Sequence, residues 1–151
     1  MPVANFHLID IPLNRALVKP LLKGACALYA EVLGAPPERI RAFVTFHDPD
    51  TFLAGGELCS ENGENAPYFD FIVLEGRPVE QRHLLLSGFT DLLVALLGVD
   101  RNAVRGHCRP VSPENWAIGG VPASEKRAAE IDTRARAAAA AARSPVVHRN
   151  T

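Results

Sequence analysis

Apolar and polar residues alternate loosely from Val3 to Ile9, with Val3, Phe6 and Leu8 set among polar neighbours. That period predicts a short strand. Further on, Leu17, Leu21, Leu22, Ala25, Leu28, Tyr29 and Val32 recur at helical spacing, which puts one apolar face on a helix over 14–33. Pro20 falls inside that run, where it either kinks an interior turn or forces the helix to begin near Lys19. Gly34 supplies a stop and Ala35-Pro36-Pro37 prevents continuation. The apolar run Ile40 to Phe46 is a second strand. A helix between two strands occupies the return path, so the strands of this βαβ unit must lie parallel. His47-Asp48-Pro49-Asp50 reads as a turn, and Phe52 to Gly56 closes the unit.

The succession then returns. Tyr68 to Leu74, Val79 to Leu97 and Val104 to Cys108 predict strand, helix and strand again, the helix carrying Leu85, Phe89, Leu92, Leu93 and Leu96 on one side. The landmarks superpose: Pro2 on Pro67, Leu33-Gly34 on Leu97-Gly98, Phe52 before Gly55-Gly56 on Trp116 before Gly119-Gly120. From proline to aromatic is 50 positions in the first copy and 49 in the second. Agreement over that length points to tandem duplication. The expected organisation is a single domain over 1–124, made of repeats 2–58 and 67–124 joined by a linker at 59–66. Ser60, Asn62, Gly63 and Asn65 give that linker the composition of a flexible joint. Residues 125–151 change to an alanine-rich run, predicting a helical C-terminal extension capped by Ser124, stopped at Ser144-Pro145 and disordered beyond.

Composition narrows the function class. At 151 residues, 48% apolar and net charge -1, the chain buries a core and lacks the basic footprint of a nucleic-acid binder or of a protein held on an anionic membrane. No basic n-region precedes an apolar h-region at the start, and Leu84 to Gly98 is interrupted by Asp91 and too short to span a bilayer. Cys26, Cys59 and Cys108 offer neither a disulfide framework nor zinc spacing, which suits a reducing cytoplasm. His47-Asp48-Pro49-Asp50 has no second histidine cluster to support a metal site.

The sharpest chemical signal is Pro2. A small second residue permits removal of Met1, leaving a secondary amine at the terminus. An α-amino group titrates at about 7.7–8.0 in free peptides, and desolvation or nearby cations favour its neutral form, which suits a general base near neutral pH. Pro67 lies mid-chain as an amide and has no such lone pair.

The second copy resembles a complete subunit of 4-oxalocrotonate tautomerase. It has Pro67, Leu74-Glu75-Gly76-Arg77, Glu80-Gln81, Leu97-Gly98, Val104-Arg105 and an aromatic before Ile118-Gly119-Gly120, followed by Ala123-Ser124. The first copy is similar but looser, keeping Pro2, Gly34-Ala35-Pro36, Arg41 and Phe52-Leu53-Ala54-Gly55-Gly56. The fused pair with its C-terminal extension resembles the cis-3-chloroacrylic acid dehalogenase branch of the tautomerase superfamily. The resemblance implies an α+β fold: tandem βαβ units forming a four-stranded mixed sheet with two helices on one face, assembled as a homotrimer.

It also implies roles. Pro2 is the catalytic base, and Arg77, closing the first strand of the second copy, is its catalytic partner. Pro12 stands where the first copy would carry the matching arginine. Arg41 and Arg105 match the second-strand arginine, whose planar fork grips a carboxylate. Phe52 and Trp116 match the aromatic wall, and the Gly-Gly pairs read as tight backbone packing. Against the dehalogenase, Tyr29 replaces a histidine and His107 a tyrosine, which keeps both as candidate substrate contacts. Leu74 stands at one of two neighbouring arginines, and Ala117 or Ile118 where a water-activating glutamate is expected. The implied function is therefore cofactor-independent tautomerisation of a small 2-oxo or enol carboxylic acid in the cytoplasm, with no metal. The alternatives are hydration or dehalogenation of a three-carbon unsaturated acid, and a non-catalytic trimeric binding protein.

Overall fold

A computed structural model describes residues 2–143. The expected stop at Ser144-Pro145 and the end of the tail lie outside the described residues. Those residues form two compact units, 2–73 with 78–110, and 74–77 with 111–143.

The first unit is built on a four-stranded sheet, β1 (Val3–Ile9), β2 (Arg41–His47), β5 (Tyr68–Leu74) and β6 (Arg105–Val111), in the order β2-β1-β5-β6. β1 runs parallel to β2, Val3 opposite Arg41, and antiparallel to β5, Val3 opposite Ile72. The sheet is therefore mixed. Its alternation is clean: Ala4, Phe6 and Leu8 with Phe69, Phe71 and Val73 turn to one face and are buried.

Two helices cover that face, α2 (Val18–Leu33) through Leu21, Ala25, Tyr29 and Leu33, and α4 (Val79–Leu97) through Leu85, Phe89, Leu93 and Leu97. Both buried sets step by four, the stripe that the sequence spacing implied. The stretch 14–33 is nevertheless not one helix. A short α1 (Pro12–Ala16) ends before Leu17, and α2 restarts at Val18. Pro20 is the cause: its ring would collide with the carbonyl four residues back, at Ala16, whereas in the first turn of α2 its missing N–H costs nothing.

The joint at 59–66 is ordered rather than flexible. Cys59–Asn62 form one helical turn, α3, whose Cys59 is buried. The Asn62 amide donates to the Ala54 carbonyl at 3.0 Å. Asn65 and the fully buried Asn14 exchange side-chain hydrogen bonds at 2.8 and 3.0 Å, and Asn14 also donates to the Ile9 carbonyl at 2.9 Å. A buried amide with its polar atoms satisfied holds the connector in place. Polar composition suggested a flexible joint, whereas these polar groups bond one another and nearby backbone carbonyls.

The Gly-Gly pairs are hairpin turns. Gly55 and Gly56 join β3 (Leu53–Ala54) to β4 (Glu57–Leu58) with φ of 68° and 82°. A methyl group at either would meet nothing within 4 Å, so the left-handed backbone and not close packing demands glycine.

The second unit repeats this device: β7 (Ala117–Ile118) pairs with β8 (Val121–Pro122), and Ala123 N–H donates to the Trp116 carbonyl as Cys59 N–H does to that of Phe52. A short α5 (Ala123–Lys126) leads into α6 (Ala128–Arg143), which buries none of its residues.

Candidate functional site

In each copy a buried proline immediately precedes the first strand, and its carbonyl accepts the backbone N–H of the arginine opening the second strand. The distances are 2.9 Å from Arg41 to Pro2 and 3.1 Å from Arg105 to Pro67. A proline suits the first position of a strand, where no ladder donor is required. The duplication thus brings proline and arginine together twice. Only one of these prolines can carry an amine, because Pro67 is acylated by Ala66.

One cavity of the first unit, about 530 Å³, lies at Pro67. Three segments supply its walls: Phe52 to Gly55 from the turn after β2, Glu64 to Tyr68 from the connector, and Asp100 to Arg105 from the turn before β6. Of the expected site residues it gathers Phe52 and Arg105. Phe52 also meets the His47 ring edge-on at 5.7 Å. The Arg105 guanidinium donates to the carbonyls of Asn102 and, at 3.1 Å, Val104, and faces no carboxylate partner among the described residues. Arg41 is exposed.

Two expected contacts sit elsewhere. Tyr29 is 0% exposed, its ring set edge-on against Phe71 and Phe89 in the core. Its hydroxyl is near the Ile72 carbonyl at 2.8 Å and the Val3 carbonyl at 3.2 Å, and burial pushes its pKa well up. A side chain with no surface cannot touch a substrate, so the expectation for Tyr29 is corrected to a packing role. His107 is exposed on β6 and does not line the cavity.

Arg77 and Trp116 belong to the second unit. Arg77 follows β5 in a turn where Glu75 N–H donates to the Val111 carbonyl at 2.9 Å. Burial first, and the neighbouring Arg134 second, lower its pKa to about 10, while Glu130 opposes them. It therefore stays protonated at neutral pH. The indole N–H of Trp116 is buried with no hydrogen-bond partner among the described residues. A donor left so is available to an acceptor that the chain does not itself supply.

Sequence reasoning missed a polar cluster on the sheet face opposite the core helices. His7 and His47 share a hydrogen bond of 2.8 Å between Nδ1 and Nε2 and stack at 5.1 Å. Asp70 lies 3.4 Å from His7 Nε2, the Asn5 amide 3.1 Å from the same nitrogen, and Thr45 donates to Asn5 at 2.9 Å. The signal was present as polar residues at alternate positions of three strands, but their meeting depends on register. Among the described residues no group of three or more His, Cys, Asp or Glu side chains is arranged to hold a metal, and no helix is long and apolar enough to cross a membrane.

Comparison with known proteins adds the following. The family model described as "Tautomerase enzyme" matches residues 67–126, beginning at Pro67. A probable tautomerase of Ralstonia nicotianae is 32% identical over 69 residues, 46% of this chain and 99% of the relative. The 2-hydroxymuconate tautomerase of Comamonas testosteroni is 37% identical over 59 residues, 39% of this chain and 94% of the relative. Among solved structures, a wild-type fused 4-OT in a symmetric trimer superposes with a TM-score of 0.68 at 22% identity, covering 80% of this chain and 95% of that one. The last likeness is one of fold.

Proposed function

The chain belongs to the tautomerase family, and from that premise we propose that it is a cofactor-independent tautomerase of small 2-oxo or enol carboxylic acids, with Pro2 as general base. The observation that carries the reading is the pairing of family membership with a buried proline at position 2, immediately before β1. After removal of Met1, the imino nitrogen takes a proton from one position of the acid and returns it to another. Burial disfavours the charged ammonium and leaves the nitrogen basic at neutral pH. Arginine is the side chain suited to grip the carboxylate and to stabilise negative charge on the 2-oxygen as the proton leaves; Arg41, whose backbone N–H meets the Pro2 carbonyl, and Arg77, still charged at neutral pH, are the candidates. Trp116, whose buried indole N–H has no partner among the described residues, is the aromatic candidate for a wall that excludes water. Tautomerisation is preferred to hydration of a haloacrylate because Ala117 and Ile118 offer no carboxylate to activate water.

We infer a homotrimer as the working form. The sheet face opposite the helices supports it: Phe43 there is 46% exposed, and Val3, Tyr68 and Ile72 are half-buried. Three cysteines without disulfides fit a cytoplasmic setting.

The test is Pro2→Ala, assayed with phenylenolpyruvate and 2-hydroxymuconate alongside the intact mass of the purified wild-type chain. The variant keeps a primary amine at the terminus but loses the rigidly held secondary one, and turnover is expected to fall strongly, towards the about 10²–10⁴-fold contribution of a positioned base. A variant as fast as wild type, or a mass that retains Met1, ends the proposal.

A further inference from the structure

The cavity at Pro67 has walls and charges but no base, because its proline nitrogen is tied into the peptide bond with Ala66. Three ionic groups line it. Among the described residues the Arg105 guanidinium meets only the carbonyls of Asn102 and Val104. Glu64 donates its backbone N–H to Asn62, but its carboxylate accepts no hydrogen bond among the described residues. One oxygen of Asp100 accepts the Asn102 N–H at 2.9 Å. The remaining lining is largely apolar, with Phe52, Leu53, Ala54, Tyr68 and Ala103.

We propose that this cavity is a second, non-reacting binding site that takes a small zwitterion, an α-amino acid with an apolar or aromatic side chain. A plain carboxylic acid, the substrate class assigned to Pro2, would satisfy Arg105 but would also face Glu64 and Asp100, and like charges at short range repel. An amine alone would satisfy the carboxylates and leave the guanidinium without a counter-charge. A molecule carrying both groups answers both: its carboxylate on Arg105 in the paired geometry that a guanidinium favours, its ammonium between Glu64 and Asp100, its apolar body along Phe52 and Tyr68. With about 530 Å³ the cavity holds an aromatic amino acid with space for bridging water. The inference does not rest on the catalytic reading of Pro2.

Isothermal titration of the full chain with L-phenylalanine tests it. The expected result is one molecule bound per chain. Phenylpyruvate and phenethylamine, each lacking one charge, compete for that site about tenfold or more weakly, the scale of one charged hydrogen bond. Glu64→Gln and Arg105→Gln each weaken L-phenylalanine by a similar factor with unchanged thermal melts, and Glu64→Gln leaves phenylenolpyruvate turnover intact. No L-phenylalanine binding at millimolar concentration overturns the proposal. So does binding that survives both substitutions, or competition by phenylpyruvate on equal terms.

Discussion

Gly106 shows how much a single position on an edge strand can matter. A methyl group there would lie 2.1 Å from Cζ of Phe69, whose ring is 1% exposed and packed against Phe6, Phe71 and Phe89. A ring held on three sides cannot swing away. Gly106→Ala should therefore cost about 1–3 kcal/mol or more, the range for overpacking a closed core, read as a lower urea midpoint with an unchanged slope. Nothing in the sequence singled out Gly106, since a lone glycine in a strand marks close approach without saying what approaches. Tyr29 errs the other way. Resemblance made it a substrate contact, yet its place on the buried stripe of α2 with Leu21, Ala25 and Leu33 was legible from helical spacing. The local period was the better guide, because it is set by backbone geometry whatever the side chain's ancestry.

The two core helices interlock by a reciprocal exchange. Leu92 of α4 presses where Gly24 of α2 has no side chain, and Leu28 of α2 presses where Gly88 of α4 has none, with hypothetical Cβ atoms at 2.8 and 2.5 Å from the leucine methyls. Glycine costs a helix about 1 kcal/mol relative to alanine, so its presence in both helices at the crossing is repaid by close approach. Gly88→Ala sets that propensity gain against a clash with a terminal leucine methyl that is only partly buried and can rotate. The expected outcome is a small net loss, under about 1 kcal/mol and well below that of Gly106→Ala, with the order of the two melting temperatures as the check. Helix positions and their apolar faces were readable from sequence, and of the two outcomes that Pro20 left open a helix starting near Lys19 is the one found, α2 beginning at Val18; the short α1 before it was not foreseen.

For the assembled chain, the prediction is a mass of three chains by light scattering, with Phe43→Lys shifting it towards the monomer, since a charge at an apolar contact is desolvated without a partner. A monomeric wild-type protein would remove the homotrimer. Duplication explains an asymmetry in what could be read. The second copy matches the family model from its first residue, Pro67, and so advertises itself. The first copy is looser, yet its proline is the one that can hold a free amine. Resemblance is thus strongest where the proposed base is absent, and the two prolines are told apart by bonding and not by similarity.

Strand, helix and strand, twice over, follow from periods of two and three to four residues, and these are local properties that survive without knowledge of any distant contact. Fold class and the doubled plan were accordingly legible in the chain alone. Folding alone decided that a cavity opens at Pro67, that His7 bonds His47 across 40 positions, and that the Tyr29 hydroxyl ends on Ile72 across 43. Such meetings depend on strand register and on which face each side chain takes, and a shift of one residue reverses every face.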